Sequence, residues 1–206
     1  VAYPLGVVGI ITSIVLIRFL FKIDLQKEAH ELENDDEATL EKPDKLTLKF
    51  TNKAMAGKSL HHIKEMIGRK FVVSRMKRDE NYFIPQSETL LQYGDIQLVV
   101  ASKADTESII AIMGEELEMN WKESEKHLVS RRIVITRNEI NGKTLGSLRL
   151  RSNFGVNITR VNRSGIDLLG ATNLVLQVGD RVMVVGELEA IEKVEKLLGN
   201  ALKKLN

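Results

Sequence analysis

The chain has no cysteine, and only 5% of its residues are aromatic. Disulfides and thiolate-held metals are therefore excluded, and a reducing compartment is compatible. With so few rings, any core must be built from Ile, Leu, Val and Met. An excess of one charge is lacking too: 30 basic against 28 acidic residues leave a net +2, too near neutral for a nucleic-acid surface. Also missing are a nucleophile–base–orienter set, a nucleophile elbow, paired metal ligands and a dinucleotide fingerprint after a strand. The sequence thus assigns no catalytic residue, no metal and no cofactor, and reads as not an enzyme. What is there is ordinary globular material, 43% hydrophobic and 28% charged. The 206 residues suit one or two domains at roughly 150 residues each.

A duplication organises the chain. Gly57-Lys58-Ser59-Leu60 recurs as Gly142-Lys143-Thr144-Leu145, an offset of 85 positions (57 to 142). Gly94-Asp95 recurs as Gly179-Asp180 at the same offset, and no gap is needed between. Arg75 falls on Arg160, Arg78 on Arg163, Leu91-Gln92 on Leu176-Gln177, and Gly114 on Gly199. Matches spread this widely imply one small domain present twice. The period is too long for a solenoid, so each copy needs its own core.

Residues Leu5 to Leu20 are nearly all apolar, with a single charge at Arg18. The run is slightly short of the roughly 20 residues that cross a bilayer. The first residue is Val rather than Met, as in a piece of a longer protein, so residues 1–23 are expected to be the end of a transmembrane helix. Arg18 near the end of the run, with Lys22 and Lys27 after it, puts its downstream side in the cytoplasm. Residues 24–44 read as an acidic linker around Asn34-Asp35-Asp36-Glu37, without the ligand spacing of a calcium loop.

Each copy then reads β-α-β-β-β-α, at 45–120 and 128–206. In the first, Leu46, Leu48 and Phe50 alternate as a half-buried strand. Ser59 is placed to cap a helix bearing Leu60, Ile63, Met66 and Ile67, and Gly68 stops it. Strands follow over Lys70–Met76, Tyr82–Ile84 (an edge, next to Pro85) and Ile96–Ala101. Asp105 or Thr106 caps a last helix carrying Ile109, Ile110, Ile112, Met113 and Leu117. In the second copy, Arg132–Thr136 is a strand and Thr144 caps a short helix. Ser164-Gly165 turns a hairpin, and a final helix carries Leu188, Ile191, Val194, Leu197 and Leu198. The class is α+β, with helices packed on antiparallel sheets.

Gly-Lys-Ser and Gly-Lys-Thr look like the tail of a phosphate loop. The upstream glycine that such a loop needs is Asn at 52 and Arg at 137, so the tetrapeptide reads as a turn plus a helix cap. A helix N-terminus with a Lys nearby still suits an anion, which keeps Lys58 and Lys143 as weaker candidates. His61 and His62 are adjacent on a helix and point apart, so they make no metal pair. Arg75 and Arg160 read as ending the second strand, with Arg78 and Arg163 three residues on. A guanidinium binds carboxylate or phosphate at two points. These four arginines either hold a ligand or pair with an acid nearby, such as the repeated Asp95 and Asp180. Gly94-Asp95 and Gly179-Asp180 themselves read as structural turns.

These features together resemble a family: Gly-Lys-Ser/Thr-Leu before the first helix, Arg at the end of the second strand, and Leu-Gln-x-Gly-Asp before an apolar strand. The unit is similar to the TrkA C-terminal domain, also called RCK-C. An apolar run, an acidic linker and two such units resemble the middle of the aspartate:alanine exchanger family of bacterial transporters. The resemblance implies a cytoplasmic regulatory pair that binds a small anionic ligand, inside a multi-pass protein of the inner membrane. Its implied partners are the membrane domains of the same protein and a second copy in a homodimer. Alternatives are a structural or dimerisation module that senses nothing, with Ile109/Met113 and Val194/Leu198 at its interface, or the regulatory part of a potassium transport system.

Overall fold

The computed structural model describes residues 43–199, apart from the side chain of Glu125. The apolar run and nearly all of the acidic linker lie outside these residues. No helix among the described residues is long and apolar enough to cross a membrane.

Two antiparallel sheets are present, each over a separate apolar core. The first half runs β1 (Asp44–Phe50), α1 (Leu60–Ile67), β2 (Phe71–Arg78), β3 (Asn81–Phe83), β4 (Ile96–Ala101), α2 (Thr106–Met113) and β5 (Gly114–Glu116). Its sheet has the order β3-β2-β4-β1-β5. The second half runs β6 (Val129–Val134), α3 (Leu150–Phe154), β7 (Asn157–Arg163), β8 (Ile166–Leu169), β9 (Arg181–Gly186) and α4 (Leu188–Leu198), with the order β6-β9-β7-β8.

Local chemistry explains α1. Ser59 is extended, and its hydroxyl accepts from the His62 N–H at 3.2 Å. Leu60, Ile63 and Ile67 are buried on one face. Met66, expected on that face, is instead 46% exposed. Gly68 ends the helix at φ 64°.

The duplicated motifs meet in space. Gly57 N–H donates to Leu91 C=O at 2.8 Å, and Leu91 N–H returns a bond to Lys58 C=O at 3.0 Å. Gly142, Leu176 and Lys143 repeat this pair at 2.9 Å each. Gly94 and Gly179 turn at φ 93° and 95°, a conformation that penalises any side chain, which accounts for glycine at both places. The Gly-Lys-Ser/Thr-Leu stretch therefore fastens the helix entry to the turn before β4 in the first half and before β9 in the second.

Several expectations are corrected. The helix after β4 ends at Met113, so Leu117 is not on it. The chain instead turns at Gly114 into β5, which pairs with β1. Asp105 stands at the N-cap position of this helix, as expected, but makes no side-chain cap bond; Ser102 caps the 3-10 turn Lys103–Asp105 before it, accepting from Asp105 N–H at 3.3 Å. Thr144 makes no side-chain cap bond. The second copy's helix is broken into a 3-10 turn, Leu145–Leu148, and the short α3, with Arg149 at φ 47° between them. Gly146-Ser147 stand where α1 has His61-His62, and glycine is a poor helix former. A Cβ on Gly146 would come within 2.9 Å of Thr172 C=O, so that close approach requires glycine. Leu188 of α4 is 44% exposed. Ile109, Met113, Val194 and Leu198 are fully buried in the two cores and are not available to an interface with another chain.

Candidate functional site

The repeated arginines have distinct surroundings. Arg75 lies within β2 rather than at its end, at a register shift between Val73 and Arg75. Arg160 lies within β7 at the same shift, between Ile158 and Arg160. Among the described residues neither is hydrogen-bonded to the repeated aspartates; of the four arginines it is Arg78 and Arg163, at the strand ends, that pair with them. Arg78 donates from Nε and Nη2 to the two carboxylate oxygens of Asp95 at 2.7 Å each, and from Nη2 to Leu90 C=O at 2.8 Å. Asp95 also accepts from Gln92 N–H at 2.8 Å. Arg163 repeats this on Asp180 at 2.8 Å each and on Val175 C=O at 2.7 Å, and Gln177 N–H caps Asp180 at 2.9 Å. Both aspartates are buried. The hydrogen bonds to these carboxylates hold both guanidiniums above their usual range.

Arg75 is buried. Its Nη1 donates to Ser124 Oγ at 2.8 Å and Leu128 C=O at 3.1 Å, and its Nη2 to Ser130 Oγ at 2.7 Å. Those partners belong to the segment joining the halves and the start of β6. Trp121 fastens the same segment, donating to Thr47 Oγ1 at 2.9 Å and meeting the Tyr82 ring edge-on at 6.1 Å. Arg160 is half-buried, and its Nε has no hydrogen-bond partner among the described residues.

The helix entries are closed. Leu60 and His61 N–H groups donate to Thr89 and Ser87 C=O, and Leu145 and Gly146 N–H to Leu174 and Thr172 C=O. The amides an anion would use beside Lys58 and Lys143 are thus already engaged.

Concave space lies at the seam between the halves. Asn157 Nδ2 donates to Val73 C=O at 2.8 Å across it, and Gln86 Nε2 to Arg151 C=O at 3.2 Å. Two grooves of about 340 Å³ flank these contacts. One takes Leu60, Phe71 and Val72 from the first half; the other takes Leu145, Val156 and Asn157, the same positions one repeat later. Each also takes residues from the other half's loop, and Ser87 and Thr172 touch both. The two grooves thus take corresponding positions from the two halves.

The groove on α1 is lined by the cations Lys64, Arg69, Lys70 and Arg151, with His61, and no carboxylate is among its lining residues. Lys64 Nζ lies 5.0 Å from the centre of the Phe71 ring, and Arg151 Nη2 donates to Asn157 Oδ1 at 2.7 Å. Burial, reinforced by the positive charge of Arg151, lowers the Lys64 ammonium to about 8, and burial lowers Arg151 as well. The groove on α3 has Arg149 and Arg151 but also Glu88. None of Arg75, Arg78, Arg160, Arg163, Lys58 and Lys143 lines either groove. The repeat could not single out Lys64 and Arg151, because Arg151 falls on Met66. One signal was present: Lys64 and Arg149 are cations at the same offset.

Residues 131–199 match the TrkA-C domain family. The second half is a TrkA-C domain. Relatives extend over the whole chain. It is 48% identical over 205 residues to an uncharacterized transporter of Bacteroides thetaiotaomicron and 44% identical over 214 residues to one of Bacteroides fragilis. In both cases the alignment covers 100% of this chain and 37% of the relative, so the chain spans little more than a third of these proteins. Among solved structures, the RCK C domain of the potassium transport protein KtrA in complex with cyclic diadenosine monophosphate is similar at 19% identity. The TM-score is 0.35, over 37% of this chain and 91% of that one, too low to carry function across.

Proposed function

We propose that the chain is the cytoplasmic regulatory part of a bacterial inner-membrane transporter of the aspartate:alanine exchanger type, and that it binds a small anion at its seam. In this reading residues 45–120 form a first TrkA-C domain and 128–206 a second, and residues 1–23 end a membrane helix. One observation carries the reading: four cations and no carboxylate line a groove made by both halves. A ligand there touches both halves at once, and it shifts their equilibrium only as far as it prefers one arrangement. A tenfold preference amounts to about 1.4 kcal/mol. Arg78 and Arg163 act structurally through Asp95 and Asp180. The ligand-contact role first assigned to the repeated arginines, with Lys58 and Lys143, passes to Lys64 and Arg151.

A thermal-shift screen of the 206-residue chain against dicarboxylates, amino acids and nucleotides tests this. The expected result is an anionic hit whose shift disappears in Lys64→Met and Arg151→Met and persists in Lys58→Met. A screen without hits, or hits indifferent to both groove substitutions, would sink the ligand-sensing role and leave a purely structural pair.

A further inference from the structure

The cations of the α1 groove differ in one respect. Arg151 keeps its proton at any physiological pH, whereas a lysine crowded by burial and a like charge can lose its own. We propose that this groove takes a small dianion bearing no positive charge, and that Lys64 gains a proton as the dianion binds. The inference rests on the anion-binding reading above and adds ligand class and proton coupling to it.

The surroundings of Lys64 support it. Its ammonium lies over the Phe71 ring, faces Arg151 across the seam, and meets no carboxylate of the groove. On its own half, His61 is near Glu65 at 3.4 Å, Arg69 is 3.6 Å from Asp105, and Lys70 lines the groove. The second half's loop contributes Gly170, Ala171, Thr172 and Asn173, none of them ionisable. A zwitterion would place its own ammonium among these cations. A dianion neutralises two of them and offsets the burial and like charge that lower the Lys64 ammonium.

The sign follows. In the free chain Lys64 titrates near 8, below the ordinary lysine range, and a bound dianion moves it back up. Affinity is therefore full below pH 8 and falls above it. With Lys64 about nine-tenths protonated at pH 7 and about one-tenth at pH 9, the loss over that range is about tenfold.

Calorimetry on the 206-residue chain tests this with succinate and sulfate, whose charges do not change between pH 7 and 9, and with L-aspartate, at constant ionic strength and in two buffers of different ionisation enthalpy. The dianions are expected to bind about tenfold tighter at pH 7 than at pH 9, with net proton uptake near pH 8.5. L-Aspartate is expected to bind at least tenfold more weakly at pH 7. Lys64→Arg should keep dianion binding and lose both the pH dependence and the proton uptake. Dianion binding without proton uptake, a slope that survives in Lys64→Arg, or L-aspartate binding as well as succinate overturns this proposal while the anion site stands. Failure of both dianions to bind at either pH overturns the site and the proposal together.

Discussion

Arg75 and Arg160 occupy one position in two copies of a fold, at the same bulge of the same strand, yet their neighbours differ. Arg75 shares a cross-strand row with Leu98 and Thr47, and the segment joining the halves lies over that row, supplying Ser124 and Leu128 C=O. Arg160 shares its row with Met183 and Arg132. A second cation stands where the first half has the threonine that accepts from Trp121. Arg78 and Arg163, by contrast, make the same contacts in both halves, down to the carbonyl each reaches. Duplication preserves a role when all its partners lie inside the repeat. Where partners come from outside, the residue persists and the role changes.

The comparison can be broken most directly at Arg75. Arg75→Ala removes a buried guanidinium that donates to Ser124, Leu128 and Ser130 and should cost about 3 kcal/mol, whereas Arg160→Ala should cost under about 1 kcal/mol. Urea unfolding of both variants measures the difference, and equal losses would abolish the asymmetry. Next come the shared locks. Asp95→Asn and Asp180→Asn should each cost about 2 kcal/mol, since each weakens a two-point pair on a buried carboxylate. A gap between them larger than the error would show that the halves are not equivalent even here. The smallest effect sharpens the contrast between the cores. Gln97 is fully buried in the row of Leu48 and Met76, and its amide has no hydrogen-bond partner among the described residues, while the second half has Val182 there. Gln97→Val should stabilise by about 1 kcal/mol, read as a higher thermal midpoint. A loss instead would mean that the amide is satisfied.

Signals confined to a few residues were legible. Ser59 before an apolar stripe and Gly68 after it give α1 its ends, and the Ser164-Gly165 turn follows from Gly165, which takes positive φ freely. The expected helix running on to Leu117 failed because apolar spacing continued past Gly114, where the chain turns to pair with β1, far away in sequence. Thr144 has the same residue context as Ser59, but Gly146 packs on Thr172 and the first turn tightens to 3-10. The candidate site was the least legible part. A search for duplicated residues favours side chains that support each copy, and Arg78 with Asp95 is such support. Lys64 and Arg151 line one groove from opposite halves, a relation that no spacing within one copy expresses.

By itself the sequence determined that one set of motifs recurs at a fixed offset, where the first helix begins and ends, and that arginines and aspartates recur in register, because capping and backbone preference act over a few residues. Only the tertiary structure decided which arginine takes which aspartate, what covers Arg75, and that residues of both halves line a groove with four cations and no carboxylate. Those outcomes depend on distances between chain segments far apart in sequence, and such distances exist only once both cores have packed.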